Sequence, residues 1–309
     1  MLPVLSVLPN DSALEKDFSF KETEAYLFST TISKKIQIEG QGLFTGKKAT
    51  LSLIPAPQNT GIVFQRMDLS GNPFIPATLQ VVKGTPRCTI LGDEKAGLQT
   101  VEHLLSCLYA LQIDNLIIQL DGPEIPIFDG SAKVFVKKIE EAGIQSYSTQ
   151  KVYYELKNPV VWSEGDVTLV GLPSKEFKVS YTLHYPHNAF LGSQYFSYLL
   201  NPTTYRDEIA PCRTFSLYEE VAYMVEKGLI KGGGLENGVV IKGNEVMNPE
   251  GLRYKNEMVR HKVLDLIGDL SLLGIPFFAH IIAIRSGHSS NIAFAKKIQS
   301  HLVKEKRDP

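Results

Sequence analysis

Apolar and polar residues alternate with a period of two in three short stretches after Ser33, namely KKIQIEG, ATLSLIPA and TGIVFQR. Gly, Pro and Asn punctuate the gaps, so these stretches read as half-buried strands joined by turns. The period then changes. Val101, Leu104, Leu105, Leu108 and Leu111 recur at helical spacing, which predicts a helix from Thr100 with Thr100 as its N-cap. An apolar strand, NLIIQL, follows, then a proline-punctuated loop, GPEIPIFDGS, and a helix, AKVFVKKIEEAG, closed by Gly143.

Residues 144–151, IQSYSTQK, are polar and read as a linker. After them the order repeats. Strands come first (VYYELK, DVTLVGL, FKVSYTLHY), then a long helix around 252–273, the strand FFAHIIAI, the loop RSGHSSN, and a last helix from about Asn291. One stretch breaks the symmetry. Around 217–246 a short helix, LYEEVAYMVEKG, leads into Gly232-Gly233-Gly234 and then GVVIKG, a βαβ-like insertion absent from the first half. The pattern predicts an α+β fold of two similar two-layer α/β sandwich domains, each a small sheet packed on helices, with a βαβ insert in the second. The expected boundaries are an extension over 1–30, a first domain over 31–147, and a second over 148–309 with its insert at about 217–246.

Composition narrows the setting. The 309 residues are 43% hydrophobic and 21% charged, with a formal net charge of −1, so a large core can be buried. No basic stripe points to nucleic acid. Cys88, Cys107 and Cys212 lie far apart in sequence, and their odd number argues against a disulfide framework and for a reducing compartment. The opening MLPVLSVLP is short, lacks a basic start and soon meets Asp11, Glu15 and Lys16. It is expected to be neither signal peptide nor membrane span, and the protein to be soluble and cytoplasmic.

Candidate chemistry sits on the two long helices. In VRHKVLDLIGDL, His261 and Asp265 are four apart, which places them on one helix face about 6 Å apart along the axis. Such a pair alone is a weak signal, since it far more often makes a surface salt bridge or hydrogen-bond pair. In TVEHLL, however, His103 opens the other helix, and three ligands with one open position are the pattern of a catalytic zinc site. Glu102 beside it is within reach of the attacking water as a general base. His288, in SGHSSN at a strand end, can supply the proton that a departing amine needs, and Asp269, two turns beyond His261, can orient an imidazole. His184, His187, His280 and His301 have no such companions.

Together TVEHLLSCL, IDNLIIQLDGPEIPIFDGSA, CRTFSL, GLRYKNEMVRHKVLDLIGDLSLLG and SGHSSN resemble the UDP-3-O-acyl-N-acetylglucosamine deacetylases, zinc amidases of lipid A biosynthesis, across about residues 31–300. The resemblance implies zinc ligation by His103, His261 and Asp265, a general base in Glu102, and a general acid in His288 partnered by Asp269. It further implies that Thr214 and Lys262 stabilise the oxyanion and that Phe215 and Leu43 contact substrate. The insert would form a passage for an acyl chain, with Val221, Met224 and Val225 on one side of its helix, Leu229 and Ile230 just beyond, and Gly233 on its wall. One departure is GQGLFTG, with Phe44 where the family commonly has histidine.

The expected activity is hydrolysis of the N-acetyl group of UDP-3-O-(3-hydroxyacyl)-N-acetylglucosamine to the free amine and acetate. Zinc is the expected cofactor, with ferrous iron as the alternative because His2Asp ligation suits both. The UDP-linked acylated amino sugar is the expected partner, in a monomer with no nucleic acid and only transient contact with the inner-membrane surface. The competing readings are an amidase acting on another acylated amino sugar and a non-enzymatic nucleotide-sugar-binding scaffold. An acid and a base beside the metal would be superfluous in the scaffold.

Overall fold

The computed structural model describes residues 27–305. Most of the expected extension, with its MLPVLSVLP opening, lies outside the described residues. Two mixed sheets carry the two halves. In the first, the strand order is Ile36–Gln41, Lys48–Pro55, Leu116–Leu120, Ile62–Arg66 and Phe74–Pro76. Its central Leu116–Leu120 strand runs antiparallel to Lys48–Pro55 and parallel to Ile62–Arg66. The second sheet has seven strands centred on Phe277–Ile284, which pairs antiparallel with Val167–Leu172 and parallel with Phe177–Tyr185. Burial alternates along Phe277–Ile284, so alternate side chains face the helices.

In each half a buried helix precedes the central strand and a second helix follows it. The first half supplies α1 (Glu102–Ala110) and α2 (Lys133–Ala142). The insert supplies α3 (Tyr218–Glu226), and the second half supplies α4 (Glu257–Ser271) and α5 (His288–Gln299). The mixed α/β build with small sheets on helices agrees with the expected fold class. The insert is a parallel βαβ unit, Phe215–Leu217 beside Val239–Lys242 with α3 between them. Among the described residues no helix is long and apolar enough to cross a membrane.

Several local expectations are corrected. IQSYSTQ is not a linker: Ile144–Gln150 is a strand paired antiparallel with Phe28–Ile32, which claims the end of the expected extension. A polar two-stranded ribbon lacks the apolar alternation that marks a strand in sequence. Thr100 is not an N-cap. It is held at φ 62°, and its hydroxyl donates to Glu124 Oε1 at 3.3 Å, while the helix starts at Glu102. The long helix starts at Glu257 rather than 252, and the last at His288 rather than Asn291. The first half also has an unforeseen three-stranded sheet, Val82–Gly84, Ile90–Gly92 and Gly97–Gln99, whose strands are too short to show a period.

A nine-residue helix such as α1 is marginal in isolation, so packing holds it. Leu104, Leu105 and Leu108 are all buried in a core that joins both halves, each worth roughly 1.5–3 kcal/mol. The first turn of α1 lies directly on α4 at Gly268, where a Cβ would collide with the Glu102 carbonyl. Gly268→Ala should therefore push the helices apart and cost about 1–3 kcal/mol, read as a lowered midpoint of chemical denaturation. A midpoint equal to the parent's would contradict this packing.

Candidate active site

The approach at Gly268 brings the start of α1 over one face of α4. His103 then meets His261 edge-on, with ring centroids 5.0 Å apart and planes at 85°. Asp265 Oδ1 lies 3.2 Å from His261 Nε2 and 3.8 Å from His103 Nε2. One ligand atom from each residue falls within 4.8 Å of the others, and all three residues are buried. The Cys212 carbonyl accepts a hydrogen bond from His261 Nδ1 at 3.0 Å, which orients the ring with Nε2 towards Asp265. Burial, then the neighbouring His261, lowers the His103 pKa to about 3, so its ring is neutral. Burial alone would raise the Asp265 pKa, but His261 and Lys262 hold it well below the usual carboxylate range. Lys262 Nζ donates to Asp265 Oδ2 at 2.7 Å.

On the other side of the same contact stand the proton-transfer candidates. Glu102 Oε2 accepts from the Thr89 amide at 3.1 Å, and Oε1 lies 3.8 Å from His288 Nε2. Burial pushes the Glu102 pKa up to about 7 against the pull of His288. His288 Nδ1 donates to Asp269 Oδ2 at 2.8 Å. Burial would lower the His288 pKa, yet the Asp269 and Glu102 carboxylates raise it to about 9. Near neutrality the site thus holds a carboxylate able to take a proton beside an imidazolium able to give one. Asp269 is fixed further by the Thr89 hydroxyl at 2.6 Å and the Asn291 amide at 2.9 Å.

These groups open into a cavity of about 490 Å³. Of the eleven residues singled out from sequence, ten line it, and Asp269 stands behind His288. Thr214 is held between halves by its backbone, its amide on Gly130 and its carbonyl taking the Val239 amide, both at 2.7 Å. Phe215 follows it and packs on Tyr185, ring centroids 6.1 Å apart. The insert closes the far wall with Val221, Met224, Ile230 and Gly233. The expected α3 face is corrected here: Met224 is buried, but Val225 and Leu229 are more than half exposed. Their positions in the last turn of α3 and beyond it turn them away from the cavity.

Several positioning residues escaped the sequence reading. Glu124 accepts the Phe44 and Thr45 amides at 2.9 and 2.8 Å and so pins the loop carrying Leu43. That loop takes the Lys231 and Gly232 amides on its Phe44 and Leu43 carbonyls, which ties the insert to the first half. Phe44 thus anchors the loop through its backbone, and it also lines the cavity. Arg213 is buried and binds Glu257, one turn before His261, through Nε at 2.8 Å. A charged pair at buried positions is the one signal that could have singled out Arg213, and it needs the fold to be seen. Thr89 and Asn291 carry none.

Residues 29–300 match the family model described as LpxC, UDP-3-O-acyl N-acetylglycosamine deacetylase. The protein of that name from Chlamydia pneumoniae is 51% identical over 269 residues, 87% of this chain and 95% of the relative. Its counterpart from Chlamydia muridarum is 49% identical over 275 residues, 89% and 96% of the two chains. That from Chlamydia felis is 48% identical over 272 residues, 88% and 97%.

The donor set fits a metal ion. Asp265 Oδ1 is buried without a hydrogen-bond partner although it is the acceptor closest to both imidazoles. A buried, ionised and unpartnered oxygen is costly unless a cation completes it. Ligand atoms bound at about 2.0–2.2 Å lie roughly 3.3–3.6 Å apart around one tetrahedral ion, and the two Asp265 distances bracket that range. The purified protein should carry about one divalent ion per chain by elemental analysis, and His261→Ala should lose it. Full occupancy in that variant would remove the site from consideration.

Proposed function

The chain belongs to the UDP-3-O-acyl N-acetylglycosamine deacetylase family, hydrolases acting on an amide, and we propose that it removes the N-acetyl group of a UDP-3-O-(3-hydroxyacyl)-N-acetylglucosamine, releasing acetate in lipid A biosynthesis. The observation that carries this reading is the single cavity wall on which a three-ligand cation site, a carboxylate of pKa about 7 and an imidazole of pKa about 9 converge. A cation-binding scaffold needs only the first of these.

In this reading His103, His261 and Asp265 hold zinc, with ferrous iron as the alternative in the cell. When bound, the ion would polarise the acetyl carbonyl as a Lewis acid and lower the pKa of water toward ~7. Glu102 takes the proton of the attacking water through Oε1, its other oxygen being held by Thr89. Attack on the acetyl carbon turns the carbonyl oxygen into an oxyanion. The Lys262 ammonium and the Thr214 hydroxyl, both on the cavity wall, donate to it. Asp265 keeps Lys262 charged despite burial, so no proton needs to be recruited at that moment. Collapse expels the amine, which His288 protonates from Nε2, while Asp269 stabilises the imidazolium through Nδ1. Water exclusion by the buried walls strengthens each of these contacts.

The rest of the substrate has its own surfaces. Phe215 and Leu43 flank the sugar, and the apolar wall of Val221, Met224, Ile230 and Gly233 receives the acyl chain. Each methylene buried there contributes about 0.8 kcal/mol, so a few contacts decide chain-length preference. The protein works as a cytoplasmic monomer, with transient contact at the inner-membrane surface where its amphiphilic product departs.

Acetate release from the nucleotide substrate tests the reaction directly. Glu102→Ala should reduce kcat at least ~100-fold while metal content stays near one ion per chain. A variant that loses its metal instead would make Glu102 a structural residue. For the passage, a Cβ at Gly233 would meet the Ile230 side chain and approach Leu43 Cδ1 at 3.4 Å. Gly233→Val should therefore cut turnover of long-acyl substrate much more than of a short-acyl analogue, and equal losses would exclude an acyl role.

A further inference from the structure

Thr89 is buried at the start of the Ile90–Gly92 strand, in the small sheet that sequence pattern did not reveal. It touches no cavity-facing ligand atom. Its two polar groups go to two different carboxylates: the amide donates to Glu102 Oε2 at 3.1 Å and the hydroxyl to Asp269 Oδ1 at 2.6 Å. Both carboxylates are buried, and they sit on different helices, α1 and α4.

We propose that Thr89 is the positioning residue that sets the general base and the general acid against each other, an inference that rests on the deacetylase reading above. A carboxylate rotates about its last bond, so without an anchor each of these groups could turn its plane away from its partner. Thr89 removes that freedom at both ends. With Oε2 held by the amide, Glu102 offers Oε1 to the cavity, 3.8 Å from His288 Nε2. With Oδ1 held by the hydroxyl, Asp269 offers Oδ2 to His288 Nδ1. Asn291 makes a second contact, to Oδ2, so Asp269 is held at both of its oxygens.

The backbone of Thr89 is itself constrained. Its carbonyl takes the amide of Thr100, a residue in the left-handed region two positions before Glu102. Arg87, two positions before Thr89, is also in that region, at φ 64°. The small sheet therefore acts as a bracket that holds one threonine between two helices. A displacement of about 1 Å in such a pair costs orders of magnitude in rate without weakening substrate binding.

The test compares Thr89→Val, which keeps the shape and the amide but loses the hydroxyl, with Thr89→Ser, which keeps the hydroxyl. Valine should lower kcat roughly ten- to hundredfold with KM within about twofold and metal content unchanged, as expected for one lost hydrogen bond to a charged group. Serine should restore most of kcat. The His288 Nδ1–H proton resonance, downfield while Asp269 accepts from it, should move in Thr89→Val and return in Thr89→Ser. Should the valine protein not fold, Thr89→Ala serves for the same comparison. A wild-type kcat without the hydroxyl, a loss that serine does not repair, or an unmoved His288 resonance overturns the assignment. If wild type releases no acetate, the deacetylase reading itself has failed. If Glu102→Ala is inactive while Thr89→Val is unimpaired, only this inference has.

Discussion

The first turn of α1 lies directly on α4 at Gly268, where no side chain would fit, and the rest of the site hangs from that contact. Without a side chain there, the carbonyl of Glu102 lies against the middle of α4, between the turns bearing Asp265 and Asp269. Consecutive residues on α1 then fall to opposite sides of the contact. His103 is carried to His261 and Asp265, and Glu102 to Asp269 and His288. One packing contact thus separates the candidate cation ligands from the Glu102–His288 pair while both line the same cavity.

That arrangement places an unusual number of ionisable groups in a dry interior, and the fold handles them unequally. Asp265 and Lys262 are paired and stay charged, at the cost of an oxygen on Asp265 that no protein group satisfies. Asp269 is saturated by Thr89, Asn291 and His288. Glu102 is less well compensated, and burial leaves its pKa near neutral. Asp265 accepts from the charged Lys262 ammonium and Glu102 from the neutral Thr89 amide, and that difference in the partners' charge sets the two carboxylates apart. The oxygen left without a partner is on Asp265, where a cation would fit, and the carboxylate with the raised pKa is Glu102.

The insert meets a different requirement. Its wall is apolar, so its backbone must be satisfied elsewhere, and Asn237 and Asn248 do this within the loop. Asn237 donates to the Gly232 carbonyl at 2.7 Å, and Asn248 to the carbonyls of Leu235 and Gly238 at 2.7 and 2.8 Å. The loop then docks on Leu43 and Phe44 through backbone alone, and Glu124 anchors those residues from behind. Because these contacts use main chain, the loop's attachment does not depend on which side chain stands at position 44, although Phe44 itself lines the cavity.

The sequence by itself determined the elements whose signal is local. Two long helices with apolar stripes, each interrupted by acid and histidine, were legible because a buried helix has little reason to carry charge unless the charge is used. The repeated order of elements and the βαβ insert were legible for a similar reason, since periodicity and glycine clusters are properties of neighbouring residues. What only the tertiary structure decided depends on pairings across the chain. The polar ribbon of Phe28–Ile32 with Ile144–Gln150 is strand by partnership rather than pattern. His288 became the first residue of a helix because the chain turns at Gly287, whose amide donates to Ser290 Oγ at 2.9 Å. Thr89, Glu124 and Arg213 carry no local signal, for each acts on residues between 13 and 180 positions away. A hydrogen bond is made where two groups meet in space, and no single stretch of sequence contains both.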